Sequence, residues 1–265
     1  MKDAEITVVM ATYRQTEYLP QAMLSVLGQS EPCKLVVVHA REDKQTDELL
    51  TELYSKWQLQ GRYQGTTTEI ADMWVQRQAG LDLVETPYVC FFDSDDYMMP
   101  GWLEKALSIA VGIHLNKKIV SDGRKTYTQF SPPFNKVPII GPSYQMTDES
   151  LRPIQEVELP SFTMGKMLKG CIIPDFSITT AEALRSVGGF FDPDYPIKKT
   201  YNFYATWLRM LKNLNCEVEL RPDIGFLYRQ HKKNLHHKVQ SKRNSRRNVE
   251  MQRMIARHYF PEVSR

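Results

Sequence analysis

Three carboxylates, Asp93, Asp95 and Asp96, crowd into four positions directly after the apolar run Tyr88-Val89-Cys90-Phe91-Phe92. That run of aromatic, β-branched and small apolar residues predicts a strand buried on both faces. Ligands of open α/β sheets sit beyond the carboxyl ends of the strands. Acidic residues at such an end are held close together and open to solvent, which suits a hard divalent cation. Asp residues also cap helices and populate turns, and helix signals resume at Pro100-Gly101-Trp102-Leu103. Spacing alone therefore leaves a solvated capping loop open beside the metal site.

The flanking pattern supplies a scaffold for that strand. Ile6-Thr7-Val8-Val9-Met10-Ala11 and Leu35-Val36-Val37-Val38 read as buried strands. Between them Leu19, Met23, Val26 and Leu27 recur at helical spacing, with Pro20 in the first turn, where its missing N–H costs little. Further helices are predicted over 47–57, 70–83 and 102–113, and Ile119-Val120-Ser121 is expected to extend the sheet. This alternation predicts an α/β fold with a mostly parallel central sheet and helices on both faces. After Asp122 prolines interrupt the pattern at 132, 133, 138, 142, 153 and 160, and a long irregular loop is expected. Regularity returns with helices near 180–187 and 201–213, the turn Gly188-Gly189, and two short strands at 216–220 and 224–229. A helix over 241–259 ends the chain, with Met251, Met254, Ile255, His258 and Tyr259 as its apolar stripe.

Bulk properties set limits. An apolar content of 42% with 25% charged residues fits a soluble globular chain with a full core. No apolar run approaches the length of a membrane span, and the amino terminus lacks the apolar core of a signal peptide. Cys33, Cys90, Cys171 and Cys216 are scattered, so they read as reduced thiols of a cytoplasmic protein. Charge is uneven. Residues 229–265 hold 11 Lys/Arg against 2 Asp/Glu, and residues 1–228 hold 23 against 29. The carboxy-terminal segment is thus electrostatically distinct from the body.

Five stretches, in order, resemble the family 2 glycosyltransferases, which have the GT-A fold and use nucleotide-diphosphate sugars. They are Val8-Val9-Met10-Ala11-Thr12-Tyr13-Arg14, Arg77-Gln78-Ala79-Gly80, Phe91-Phe92-Asp93-Ser94-Asp95-Asp96, Val187-Gly188-Gly189-Phe190 and Tyr228-Arg229-Gln230-His231. The resemblance implies a nucleotide-sugar-binding half over 1–122, an acceptor-binding half over 123–230 and a basic helical extension over 231–265. It implies that Thr12, Tyr13, Arg14, His39, Arg77, Asp93 and Ser94 contact a nucleotide sugar, with UDP as the expected nucleotide. It further implies Asp93, Asp95 and His231 as metal ligands. Mg²⁺ and Mn²⁺ both fit, and a nitrogen ligand favours Mn²⁺. A cation there offsets the charge that grows on the departing diphosphate.

Two departures from the family pattern matter. After the second strand the chain reads His39-Ala40-Arg41-Glu42-Asp43, so the base contact falls to backbone groups, His39 or Asp43. An inverting transferase also needs a carboxylate to take the acceptor proton. The family's Glu-Asp is replaced here by Asn202-Phe203, neither of which is a base. Nearby candidates are Asp194, Asp192 and Asp175, with Asp194 placed first because it is nearest upstream of the helix bearing Trp207-Leu208-Arg209. Turn chemistry accounts equally for all three.

The leading expectation is a metal-dependent inverting glycosyltransferase that adds one sugar to a glycan, lipid-linked sugar, small molecule or nucleic acid. Acceptor contacts are expected from 131–160. Two alternatives stand beside it: the same chemistry on a modified base of duplex DNA, held by the basic segment, and a nucleotide-sugar-binding protein without catalysis. The basic helix also fits a clamp on the domain or a contact with anionic lipid.

Overall fold

The computed structural model describes residues 3–59, 61–115, 117–121, 126–130, 136–192, 202–232, 234 and 242–264. Its central sheet begins with β1 (Ile6–Thr12), β2 (Cys33–Ala40) and β3 (Tyr63–Thr68), separated by α1 (Leu19–Leu27) and α2 (Lys44–Trp57). After α3 (Met73–Asp82) comes β4 (Tyr88–Asp93), then β5 (Tyr97–Met98) and α4 (Trp102–His114). A hairpin of β6 (Lys117–Ser121) and β7 (Thr126–Phe130) precedes β8 (Val137–Thr147), β9 (Pro153–Val157) and α5 (Met164–Met167). The remaining elements are β10 (Thr179–Thr180), α6 (Ala181–Ser186), α7 (Asn202–Asn213), β11 (Cys216–Arg229) and α8 (Lys242–Tyr259).

The main sheet runs β10-β4-β1-β2-β3, parallel except for β10. Alternation along β1 divides the core. Ile6, Val8 and Met10 face the residues of α1 and α4, while Val9 joins Trp74 and Leu81 of α3, Phe203 and Trp207 of α7 and Ile255 of α8. A second sheet, β5-β11-β8-β9, packs beside the first. Asp43 caps α2 through the Thr46 N–H, and Asp72 caps α3 through the N–H groups of Trp74 and Val75.

One close approach fixes how the turn after α6 meets α3. Gly188 and Gly189 both take positive φ, at 84° and 62°. A Cβ on Gly189 would lie 2.1 Å from Oε1 of Gln78, the oxygen that accepts the Phe190 N–H at 3.0 Å. Only glycine lets this turn close on α3.

The predicted helices and the central strands fall close to where the sequence places them, and the short α5 was not anticipated. Several other elements differ. β3 was not anticipated, because Gly65 and three threonines give it little apolar signal as an edge strand. The strand at 117–121 does not extend the sheet; it pairs antiparallel with β7. The irregular loop expected after Asp122 contains the 11-residue β8, which passes through Pro138 and Pro142. Those prolines are tolerated because β9 pairs only with Tyr144–Thr147, leaving the first half of β8 laddered mainly on its β11 side. The strands predicted at 216–220 and 224–229 are one strand, β11, with a register shift around Pro222. On α8 the buried face is Ile255, Ala256 and Tyr259, whereas Met254 is 52% exposed and His258 is also exposed. All four cysteines are free thiols, as expected.

Candidate active site

Parallel register brings the chemistry to one edge. Ala11 of β1 is level with Asp93 of β4, and Thr12 is level with His39 of β2. The acidic loop then turns so that ligand atoms of Asp93, Asp95 and Asp96 lie within 4.8 Å of one another. His231, just past β11, places Nε2 2.9 Å from Asp95 Oδ2. Its ring is buried against Tyr18, with centroids 4.8 Å apart.

Asp96 is fully buried. Its Oδ1 accepts the Arg229 N–H at 2.9 Å, and Oδ2 has no partner. Burial first, then the charges of Asp95 and Asp93, push its carboxyl well above the usual range. Crowded carboxylates with an orphaned buried oxygen are unfavourable alone and are relieved by a cation. Three carboxylates plus an imidazole form a donor set that fits Mn²⁺ or Mg²⁺. Sequence reasoning had included Asp96 in the motif without assigning it as a ligand.

Arg229 braces this loop. Its Nε donates to the Asp95 carbonyl at 2.7 Å, its terminal nitrogens reach the Glu149 carbonyl and Gln21 Oε1, and its Cζ lies 4.5 Å from the Tyr18 ring centre. One side chain thereby ties α1, the acidic loop and the β8–β9 turn. The signal was present in Tyr228-Arg229-Gln230-His231, but the partners were not.

Arg77 of α3 is 1% exposed and bridges two carboxylates. Nη2 donates to Asp93 Oδ1 at 2.5 Å, and Nη1 donates to Asp175 Oδ2 at 3.4 Å. Asp175 stands on the loop before β10, with 40% of its side chain accessible. Desolvation is the largest influence and pushes its carboxyl up to about 6, opposed by Arg77 and reinforced by Asp93. A carboxylate with this value is a suitable proton acceptor near neutral pH.

The other base candidates are placed differently. Asp192, with 10% of its side chain accessible, accepts the Tyr259 hydroxyl at 2.6 Å and faces Arg209 at 3.7 Å. It joins α8 to α7. Asp194 lies outside the described residues. At the head of α7, Asn202 is 6% exposed with an unpartnered Oδ1, and Phe203 is buried among Trp74, Phe91 and Phe190.

The expected nucleotide residues share the carboxyl edge. Thr12 is buried with an unpartnered Oγ1, and Tyr13 donates its hydroxyl to Glu42 at 2.8 Å. Arg14 takes φ 55° while its N–H donates to Asp43 Oδ2 at 2.6 Å. Asp43 is thus both a helix cap and a brace for this loop. His39 is buried, with Nδ1 3.1 Å from the Ala40 carbonyl and Nε2 3.6 Å from Asp47. Ser94 is buried within the acidic loop.

Comparison with known proteins gives the family and the fold. A family model described as glycosyl transferase family 2 matches residues 7–166. Among solved structures, S. aureus TarS residues 1–349 is similar at 16% identity and a TM-score of 0.60, covering 98% of this chain and 73% of that one. The same fragment in complex with UDP-GlcNAc gives 15% identity and a TM-score of 0.62, with 95% and 65% covered. Longer TarS gives 15% and 0.60, and the alignment spans only 44% of that chain. These likenesses establish the GT-A fold. No curated protein matches the chain.

Proposed function

Since the chain belongs to glycosyl transferase family 2, and is therefore a glycosyltransferase, we propose that it moves one sugar from a UDP-sugar to an acceptor hydroxyl with inversion. Residues 1–122 would hold the nucleotide sugar, residues 123–230 the acceptor. UDP is favoured because a structure of the same fold, TarS, is a complex with UDP-GlcNAc.

Asp93, Asp95, Asp96 and His231 would hold the divalent ion, Mn²⁺ before Mg²⁺ because of the imidazole. That ion supplies Lewis-acid compensation for charge on the leaving diphosphate. Arg77 adds a buried positive charge at the same edge. Asp175 is the base: its Oδ1 makes no hydrogen bond with the described residues, so it is open to the acceptor hydroxyl. As the acceptor oxygen bonds to the anomeric carbon and the bond to the diphosphate breaks, the hydroxyl proton passes to Asp175. Acceptor contacts fall to the β8–β9 region, which Arg229 anchors to the acidic loop through Glu149.

The observation that carries this reading is the Arg77 bridge joining Asp93 and Asp175. A screen of nucleotide sugars for Mn²⁺-dependent hydrolysis, repeated with Asp95→Ala, tests it. Wild-type turnover by that variant refutes the metal assignment, and no turnover of any donor favours a non-catalytic binding protein.

A second reading places duplex DNA on α8. Docking consumes Ile255, Ala256 and Tyr259 and leaves Arg253 and Arg257 in solvent. Binding would weaken with log K falling by about 0.9 per phosphate neutralised against log salt. Gel-shift titrations at two salt concentrations, with anionic vesicles alongside, decide it; equal weak binding to both leaves α8 a clamp.

A further inference from the structure

The guanidinium of Arg77 lies in a corner made by two aromatic rings. Its Cζ is 4.7 Å from the Phe203 ring centre and 5.1 Å from that of Trp74. The rings themselves meet edge to face, 5.4 Å apart at 74°. Nε of Arg77 is buried and has no hydrogen-bond acceptor. An arginine removed from water this completely needs compensation on every side. Two carboxylates provide it at the terminal nitrogens, and the negative faces of the rings provide it over the plane.

This corner has a mechanical consequence. A planar guanidinium held against two rings at an angle loses its freedom to tilt, so its two terminal nitrogens point in fixed directions. One direction ends at Asp93 and the other at Asp175. Asp175 has no other hydrogen bond among the described residues. The orientation of its carboxylate therefore depends on Arg77, and that of Arg77 depends on the rings.

We propose that Phe203, at the position where the sequence offered no base, is a positioning residue for the reaction: its ring seats Arg77 so that Arg77 presents Asp175 to the acceptor. The proposal rests on the reading of Asp175 as the base. Phe203 touches no substrate in this scheme and acts only through Arg77. Trp74 supplies the second wall, and Phe190 and Phe91 pack behind Phe203 to keep its ring upright. The groups that face Asp175 electrostatically are Arg77 from α3 and Asp93 from the end of β4, with the Cys171 thiol on its own loop.

The test replaces Phe203 with 3,4,5-trifluorophenylalanine, which keeps the shape and removes the negative face, and separately with Leu. The midpoint of Asp175 is followed by carboxyl ¹³C resonance in the free protein, assigned with Asp175→Asn. Hydrolysis of UDP-GlcNAc, UDP-glucose and UDP-galactose with Mn²⁺ is measured over the same pH range. Weakening the seat withdraws Arg77, whose charge lowers the Asp175 midpoint, so that midpoint should rise in both variants. The acidic limb of kcat should move up with it, and kcat should fall by about tenfold in the Leu variant, with the donor KM little changed. Thermal unfolding of the fluorinated protein should stay close to wild type, separating positioning from packing. An unmoved Asp175 midpoint in the fluorinated protein overturns the role of Phe203, whatever the catalytic result. Undiminished turnover by Asp175→Asn overturns instead the assignment of the base.

Discussion

The His231 imidazole lies 2.9 Å from Asp95 Oδ2 although the two residues are 136 apart in sequence. The contact closes the acidic loop with a nitrogen donor from the far end of β11. It makes the expected cation site a product of both sheets.

Asp95→Ala should abolish Mn²⁺-dependent UDP binding. His231→Gln should weaken Mn²⁺ affinity by at least about 10–100-fold, the loss seen when even a group that only supports a ligand is altered. Titration calorimetry with Mn²⁺, with and without UDP, measures both. Equal Mn²⁺ affinity in wild type and Asp95→Ala would remove this loop from consideration.

Asp175→Asn should lower kcat by about 10²–10⁴-fold, the usual contribution of a general base, while donor affinity is retained. In the wild type, kcat should fall as pH drops through about 6, since the base works only when deprotonated. Steady-state profiles over pH 5–9 check the limb.

The same shift bears on stability. Asp175 has its carboxyl raised from 3.8 to about 6 on folding, so its stabilising contribution is full below 3.8 and lost as pH rises through about 6. The Tm of Asp175→Asn relative to wild type should therefore be higher at pH 8 than at pH 4, on top of a pH-independent cost for taking a partner from Arg77. With 40% of the side chain accessible, solvent screening keeps the gain small. Melting curves at the two pH values decide it, and a variant-minus-wild-type difference that falls from pH 4 to pH 8 would contradict the sign.

Gly80→Ala should destabilise the fold by about 1–3 kcal/mol, the usual cost of overpacking. The new Cβ would fall 2.3 Å from Val9 Cγ1, where α3 presses on β1. Urea denaturation measures the loss, and an unchanged midpoint would mean that α3 is free to lift.

Tyr259→Phe removes the hydroxyl that α8 donates to Asp192 at 2.6 Å. Unfolding free energy should drop by about 1–3 kcal/mol, because the acceptor is a largely buried carboxylate. A wild-type unfolding profile would show that α8 is held by its apolar face alone.

By itself the sequence determined the parallel α/β core, the helices that flank it and the acidic tip of β4. These are local facts: apolar runs of strand length, helical spacing, and carboxylates next to one another in the chain. It also determined what was missing at Asn202-Phe203, since residue type alone rules out a base there. Tertiary structure decided the partners. Arg77 and Asp175 are 98 residues apart and meet only because α3 and the loop before β10 converge on the end of β4. Asp175 came last among the sequence candidates because proximity along the chain favoured Asp194, and chain order says nothing of its meeting with Arg77. β8 escaped prediction for a related reason. Proline breaks a ladder only on the side where a donor is needed, and which side of a strand is paired is settled when the sheets assemble.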